Sequence, residues 1–374
     1  MTNKVTVSDL VQYFEKRFPT TYALEGDPIG LHFGSLGQEV KRVLVTLDVR
    51  PEVVEEAIEK QVDFIFSHHP VIFRPAKRLS EDDPQRAMYA KLIRHQIAVY
   101  SAHTNLDSSQ PGMNDWLAKR YGIENAEVFA AHYHEKNYRL VTFLPQENLP
   151  DFKEALSDYP LSVIGNYQHC FFQWTGQGNF IPVEGAQPRI GEVNQVTELE
   201  EVALSFTVKE REKEQVCDLV KKYHPYEEPV IEVYEKENDY QSIGMGRIGE
   251  LKEKIPFKDY VEKIKDLSKL EGIRFVTRDN KAIVHRVAVL GGAGSSYYQA
   301  AKAAGADVFI TADADYHTAH DIYESGLCLI DPGHHMEAIC IPYVLEELTQ
   351  WSQANHLELA VFPSEVNTDP FHFL

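Results

Sequence analysis

The chain reads as an α/β protein: two α/β halves form one discontinuous core, and an α+β, ferredoxin-like domain is inserted between them. Three observations predict this. Through the first third, apolar runs alternate with amphipathic stretches, as in KRVLVTLD, VVEEAIEK, DFIFSHH, QRAMYAKLIRH and IAVYSAH, the order of parallel strands joined by crossover helices. The last third does the same through HRVAVLGG, YYQAAKAAG, DVFITADADYH, AHDIYESG and LCLIDPGHH, and closes on a long helix from about Met336 to Trp351. The middle third, from about Ala130 to Glu235, sets strands YRLVTFL, EEVALSFTV and PVIEVYE and helices DFKEALSD and KEQVCDLVKKY around a Gly- and Pro-rich excursion, TGQGNFIPVEGAQPRIGE. That order is βαββαβ-like.

The outer thirds also match each other in pattern. Val43 of VLVTLD stands twenty residues before Asp63 of DFIF, and Val287 of VAVLGG stands twenty before Asp307 of DVFI. A pseudo-repeat is therefore expected, although two ordinary βαβ units produce equal spacing as well. The boundaries predicted are 1–128 and 237–374 for the core and 129–236 for the insert. Both halves are expected to turn the C-terminal ends of their strands toward one cleft.

Composition bounds the function. With 374 residues, of which 43% are hydrophobic and 11% aromatic, the chain can bury at least two cores. A formal net charge of -20 repels polyanions and disfavours nucleic acid as a partner. Nowhere do about eighteen apolar residues run together, so no membrane span is expected, and MTNKVTVSDL lacks the apolar stretch of a signal peptide. A cytoplasmic location is the expectation. Cys170, Cys217, Cys328 and Cys340 are widely spaced without a C-x-x-C pair, which argues against a disulfide framework and a thiolate metal site.

Histidine and carboxylate residues gather at the strand ends. His68 and His69 follow Phe64-Ile65-Phe66 and are stopped by Pro70. Neighbouring residues on a strand face opposite ways, so the two imidazoles share a site only where the strand has ended, and each can then take a different metal. The strand IAVYSAH delivers His103 and then Asp107, and LCLIDPGHHME delivers His334, His335 and Glu337. Such donors suit zinc, iron or manganese. Asp107 is the candidate bridging carboxylate. His334 and Glu337, three apart at a helix start, share a helix face; His335 would point elsewhere if helical and stands as the less favoured alternative to His334. A lone buried His is more often a hydrogen-bonded core residue, and an Asp after a strand is often a helix cap. The coincidence of several donors at strand ends shifts the balance toward metal. His103 is read as a substrate or outer-shell group, and TADADYH adds Asp313 and His317 as candidate acid–base groups. Arg74, Lys77 and Arg78 of RPAKR form a basic cluster suited to phosphates, although a solvated basic loop is the commoner meaning. GGAGSS, between a strand and a helix, offers amides to an anion.

Taken in order, SHHPVIF, SAHTNLD, GGAGS, TADADYH and GHHME resemble the Nif3-like family, also known as GTP cyclohydrolase I type 2 homologues. GQGNFIP, PRIGE and HPYEEPVIEVY resemble the PII- or CutA-like insert of its longer bacterial members. The resemblance implies a dinuclear centre of two divalent ions, zinc or iron, on His68, His69, Asp107, His334 and Glu337, and a homohexamer with the centres facing an internal cavity. It further implies a nucleotide substrate: hydrolytic opening of the guanine imidazole ring of GTP, with formate released. In place of the family's T-G-D/E stands Thr311-Ala312-Asp313. Alternatives are a dinuclear phosphoesterase on another small molecule and a non-catalytic, metal-binding regulatory assembly.

Overall fold

The strands Arg42–Thr46 and Phe64–Ser67 are buried on both faces and pair in parallel in the computed structural model, which describes residues 4–157, 159, 161–164 and 166–374. Near-continuous apolar runs are what such doubly covered strands require. Alternate residues feed two cores. Leu44, Ile65 and Val99 pack with Val53, Val54 and Leu92 of the helices Pro51–Glu59 and Pro84–Arg94. Val43, Val45, Phe64, Phe66 and Tyr100 face the opposite way, into a core shared with Phe14, Val287, Val289 and Ile310. Each fully buried Phe there contributes roughly 1.5–3 kcal/mol of transfer free energy.

The chain divides into two compact units, one of Met1–Tyr133 with Ile243–Leu374 and one of His134–Ser242. The first holds two large sheets. In the five-stranded sheet, Ala360–Pro363, Arg42–Thr46, Phe64–Ser67 and Ala98–Ser101 run parallel, and Gly30–Phe33 is antiparallel at the edge. In the six-stranded sheet, Ile283–Val289, Val308–Ile310 and Cys328–Asp331 form the parallel centre, with antiparallel strands Arg274–Val276 on one side and Arg247–Pro256 and Ile123–Glu127 on the other. Among the described residues no helix is long and apolar enough to cross a membrane.

Two local expectations are corrected. The segment from Met336 does not enter an α-helix at once: His334–Ile339 forms a 3₁₀ helix, and the α-helix spans Cys340–Ala354. In a 3₁₀ turn residues i and i+3 eclipse, which stacks Glu337 under His334. The Gly- and Pro-rich excursion in turn contains a strand, Phe172–Phe180, at the edge of the four-stranded sheet of the His134–Ser242 unit. An edge strand pairs on one side only and so tolerates glycine. The antiparallel strands Ala130–Pro145 and Thr197–Lys209 bury Leu140, Leu144, Leu204 and Phe206 against Phe152 and Val220 of the helices Leu149–Ala155 and Lys213–Tyr223. Asp158, at the end of the predicted helix DFKEALSD, lies outside the described residues.

Candidate metal centre

Strand Phe64–Ser67 ends in a turn made by its own side chain: Ser67 Oγ donates to the His69 carbonyl at 3.0 Å, and the His69 amide donates to Leu47 O. This short bond competes with the ladder and breaks the strand's alternation. His68 and His69 therefore both turn inward, with ring centroids 5.0 Å apart. Next along the sheet, Ala98–Ser101 delivers His103, whose ring is 5.2 Å from that of His68, and the helix Thr104–Ser108 carries Asp107. From the other sheet, Cys328–Asp331 leads into the 3₁₀ turn that brings His334 to 5.0 Å from His69, ring to ring.

Two donor groups result, His68–Asp107–Glu337 and His69–His334–Glu337, and His68, His69 and His103 form a third. Glu337, not Asp107, is the carboxylate common to the first two. Its Oε2 lies 3.0 Å from His69 Nε2 and 3.1 Å from His334 Nε2, and its Oε1 lies 3.7 Å from His68 Nε2. Asp107 Oδ1 is 3.6 Å from His68 Nε2. Both of these last atoms are buried with no hydrogen-bond partner in the protein, a costly state for polar groups that a cation between them would relieve.

Each imidazole is held from behind through Nδ1. Ala102 O accepts from His68 at 2.8 Å, Asp48 pairs with His69 at 2.7 Å, Asp27 with His103 at 2.8 Å and Asp313 with His334 at 2.6 Å. These partners fix the tautomer that presents Nε2 to the centre, the usual support of a metal-binding histidine. Asp27 also accepts from the amide and hydroxyl of Thr104, and Asp48 from the hydroxyl of Thr368. Asp27 and Asp48 are not among the residues singled out from sequence. Asp48 ends the strand run KRVLVTLD, a weak signal that was available; Asp27 lies in a turn, EGDPIG, that carries none.

The glycines of GGAGSS also shape the centre. A Cβ on Gly291 would come 2.9 Å from Glu337 Oε1, and one on Gly292, at φ +61°, would come 2.7 Å from it. The loop thus makes room for the shared carboxylate. Two of its amides bond within the protein: Gly291 N–H donates to Asn114 Oδ1 and Gly294 N–H to Thr311 Oγ1.

The electrostatics match a cation-binding set. Burial raises the Asp107 carboxyl, and the Glu337 charge adds to the rise. Burial also pushes Glu337 up, but the facing imidazoles, His68 first, outweigh it and hold that carboxyl well below its ordinary range. His69 is driven down by burial yet ends raised to about 10 through Asp48 and Glu337, and His334 is raised to about 9, chiefly by its bond to Glu337. Protons on imidazoles thus balance buried carboxylates, a charge that divalent cations can supply instead.

The remaining predicted residues fall as follows. Asp313 is drawn into the centre through His334, and His334 rather than His335 joins the donor groups. His317 is exposed on the helix Tyr316–Ser325, its amide donating to Asp315; among the described residues no contact joins it to the imidazoles. Arg74, Lys77 and Arg78 are exposed, and next to them in the chain Phe73 sets its ring edge-on to His103 at 6.5 Å.

Fold and site together define an α/β protein whose strand ends converge on histidine–carboxylate groups that could hold metal. The chain belongs to the Duf34/NIF3 (NGG1p interacting factor 3) family, whose sequence pattern matches residues 5–370. It is 40% identical over 374 residues, covering both chains fully, to a Bacillus subtilis protein named "GTP cyclohydrolase 1 type 2 homolog". A Listeria innocua protein of the same name is 41% identical, with 96% of each chain covered. Among solved structures, a Bacillus cereus protein related to NIF3 superposes with a TM-score of 0.93 at 37% identity over the whole of both chains.

Proposed function

We propose that the protein is a dinuclear metal-dependent hydrolase of the GTP cyclohydrolase type. The observation that carries this reading is the pair of donor groups sharing Glu337, with His68 Nε2 and Asp107 Oδ1 buried and unpartnered between them. The relatives' name supplies the substrate. Two divalent ions, zinc first and iron or manganese as alternatives, supply Lewis acidity and a water acidified toward neutral pH.

The chain's own residues do the rest in this reading. His68, Asp107 and Glu337 hold one ion, and His69, His334 and Glu337 the other. Asp48, Asp313 and the Ala102 carbonyl keep the imidazoles aimed. His103, oriented by Asp27, carries protons to and from the substrate. Arg74, Lys77 and Arg78 bind the triphosphate from the exposed loop. Water adds to C8 of guanine, the five-membered ring opens, and a second water releases C8 as formate.

The same reading makes the chain a cytoplasmic homohexamer with its metal centres on an internal cavity. It treats the two parallel strand sets as a pseudo-repeat and residues 129–236 as an inserted ferredoxin-like domain. The deciding experiment is formate release from GTP by the purified full chain, with metal quantified in the same sample and in an Asp107→Ala variant. Formate that disappears together with metal supports the reading. Two bound metals without formate would sink GTP ring opening, and inorganic phosphate in its place would identify a phosphoesterase.

A further inference from the structure

A second site lies wholly within the His134–Ser242 unit and does not depend on the hydrolase reading. It is a cavity of about 570 Å³, within the range of roughly 300–1,000 Å³ usual for small-molecule pockets. The sequence segments that meet around it, GQGNFIP, PRIGE and HPYEEPV, are conspicuous in the sequence and unused by the metal centre. Its walls are mostly apolar, with Phe143, Phe180, Val183, Ile190 and Val230 among them.

Against these walls stands one fixed carboxylate. Glu201, half-buried on the strand Thr197–Lys209, accepts the Tyr226 hydroxyl on Oε1 at 2.8 Å. Burial, together with that carboxylate, pushes the phenol well above its ordinary range, so Tyr226 remains a donor. The Tyr226 amide donates in turn to His224 Nδ1 at 3.1 Å, which pins the backbone behind it. On the adjacent strand, a Cβ at Gly178 would overlap Glu201 Oε2, so glycine there lets the carboxylate lie against its neighbour. Among the described residues Oε2 itself takes no hydrogen bond.

The rim adds charge of both signs. Glu227, which accepts the Gln187 amide at 3.0 Å, and Glu228 bring two more carboxylates. Arg189 brings a guanidinium that acts electrostatically on Tyr226 and forms no ion pair among the described residues. A nucleotide or other polyanion would face three carboxylates. A plain hydrocarbon would strip water from Glu201 and offer nothing in exchange. An ammonium group satisfies Glu201, an apolar body satisfies the walls, and a carboxylate satisfies Arg189.

We propose that this cavity binds a small zwitterion of the apolar amino-acid class, its ammonium on Glu201, its carboxylate on Arg189 and its side chain against Phe143, Phe180 and Ile190. Titration calorimetry on the full chain with L-phenylalanine, phenethylamine and 3-phenylpropionate tests it. L-phenylalanine should bind saturably, phenethylamine more weakly, and 3-phenylpropionate not at all. Glu201→Gln keeps an acceptor for Tyr226 while removing the charge, and should weaken L-phenylalanine by about 10–100-fold. Gly178→Ala, which displaces the same carboxylate without removing it, should act in the same direction, and Arg189→Gln should reduce L-phenylalanine to the level of phenethylamine. Absence of saturable binding by both amines to the folded protein would overturn the proposal. So would binding indifferent to Glu201→Gln, or 3-phenylpropionate binding as well as L-phenylalanine.

Discussion

His69 Nε2 lies 3.0 Å from Glu337 Oε2 although 268 positions separate the two residues. The same carboxylate turns its other oxygen toward His68, so one side chain serves both donor groups, whereas Asp107 serves one. If two ions bind as proposed, Glu337→Gln should abolish binding of both, while Asp107→Asn should leave roughly one of the two in place. Metal-to-protein ratios by plasma mass spectrometry decide this; equal losses in the two variants would contradict the shared role of Glu337.

Among the described residues Asp48 bonds to the centre through His69 alone, at 2.7 Å, and is itself held by Thr368 at 2.6 Å. Removing such a partner leaves every ligand in place but frees the ring to rotate. Asp48→Ala is expected to lower metal affinity about 10–100-fold. Competition with a chelator measures it, and unchanged affinity would exclude the positioning role.

Arg247 is 1% exposed and donates through Nε and Nη2 to the Asp115 carboxylate, at 2.6 and 2.9 Å. Its guanidinium also reaches the carbonyls of Ser109, Gly244 and Gly246. Arg247→Met removes the fork and strands these acceptors, which should cost about 3–5 kcal/mol in urea unfolding. A loss below about 1 kcal/mol would mean that water replaces the guanidinium.

Burial drives His224 down to about 4, against the weaker pull of the Phe143 carbonyl. Its neutral Nδ1 accepts from Tyr226, and the ring meets Phe152 edge-on at 5.6 Å. The unfolded chain binds this proton more readily than the folded one between about pH 6.5 and 4. The stabilisation is thus fully present above about pH 6.5 and is lost as pH falls toward 4, at up to about 1 kcal/mol per pH unit. Unfolding free energy measured across this window should drop more steeply for the natural chain than for His224→Gln; parallel curves would refute the assignment.

Much of the core was legible because doubly buried parallel strands leave unbroken apolar runs, as in Phe64-Ile65-Phe66. His68, His69, Asp107, His334 and Glu337 stood out for the same reason: ligand-type side chains directly after such runs are rare in plain packing. Asp27 and Asp48 did not stand out, since an Asp after a strand or in a turn has commoner uses. The strand Phe172–Phe180 was obscured by its own glycines, which suit a one-sided edge and, at Gly178, give way to Glu201.

The sequence by itself determined which strands form and which donors stand at their ends, because apolar periodicity and residue chemistry are local properties. Which carboxylate the two donor groups share was decided only by tertiary structure. Glu337 is that carboxylate because a 3₁₀ turn aligns it with His334 and because Gly291 and Gly292, more than forty positions away in the chain, leave room for it. Which carboxylate reaches both imidazoles depends on how two sheets meet, and no spacing along the chain encodes that distance.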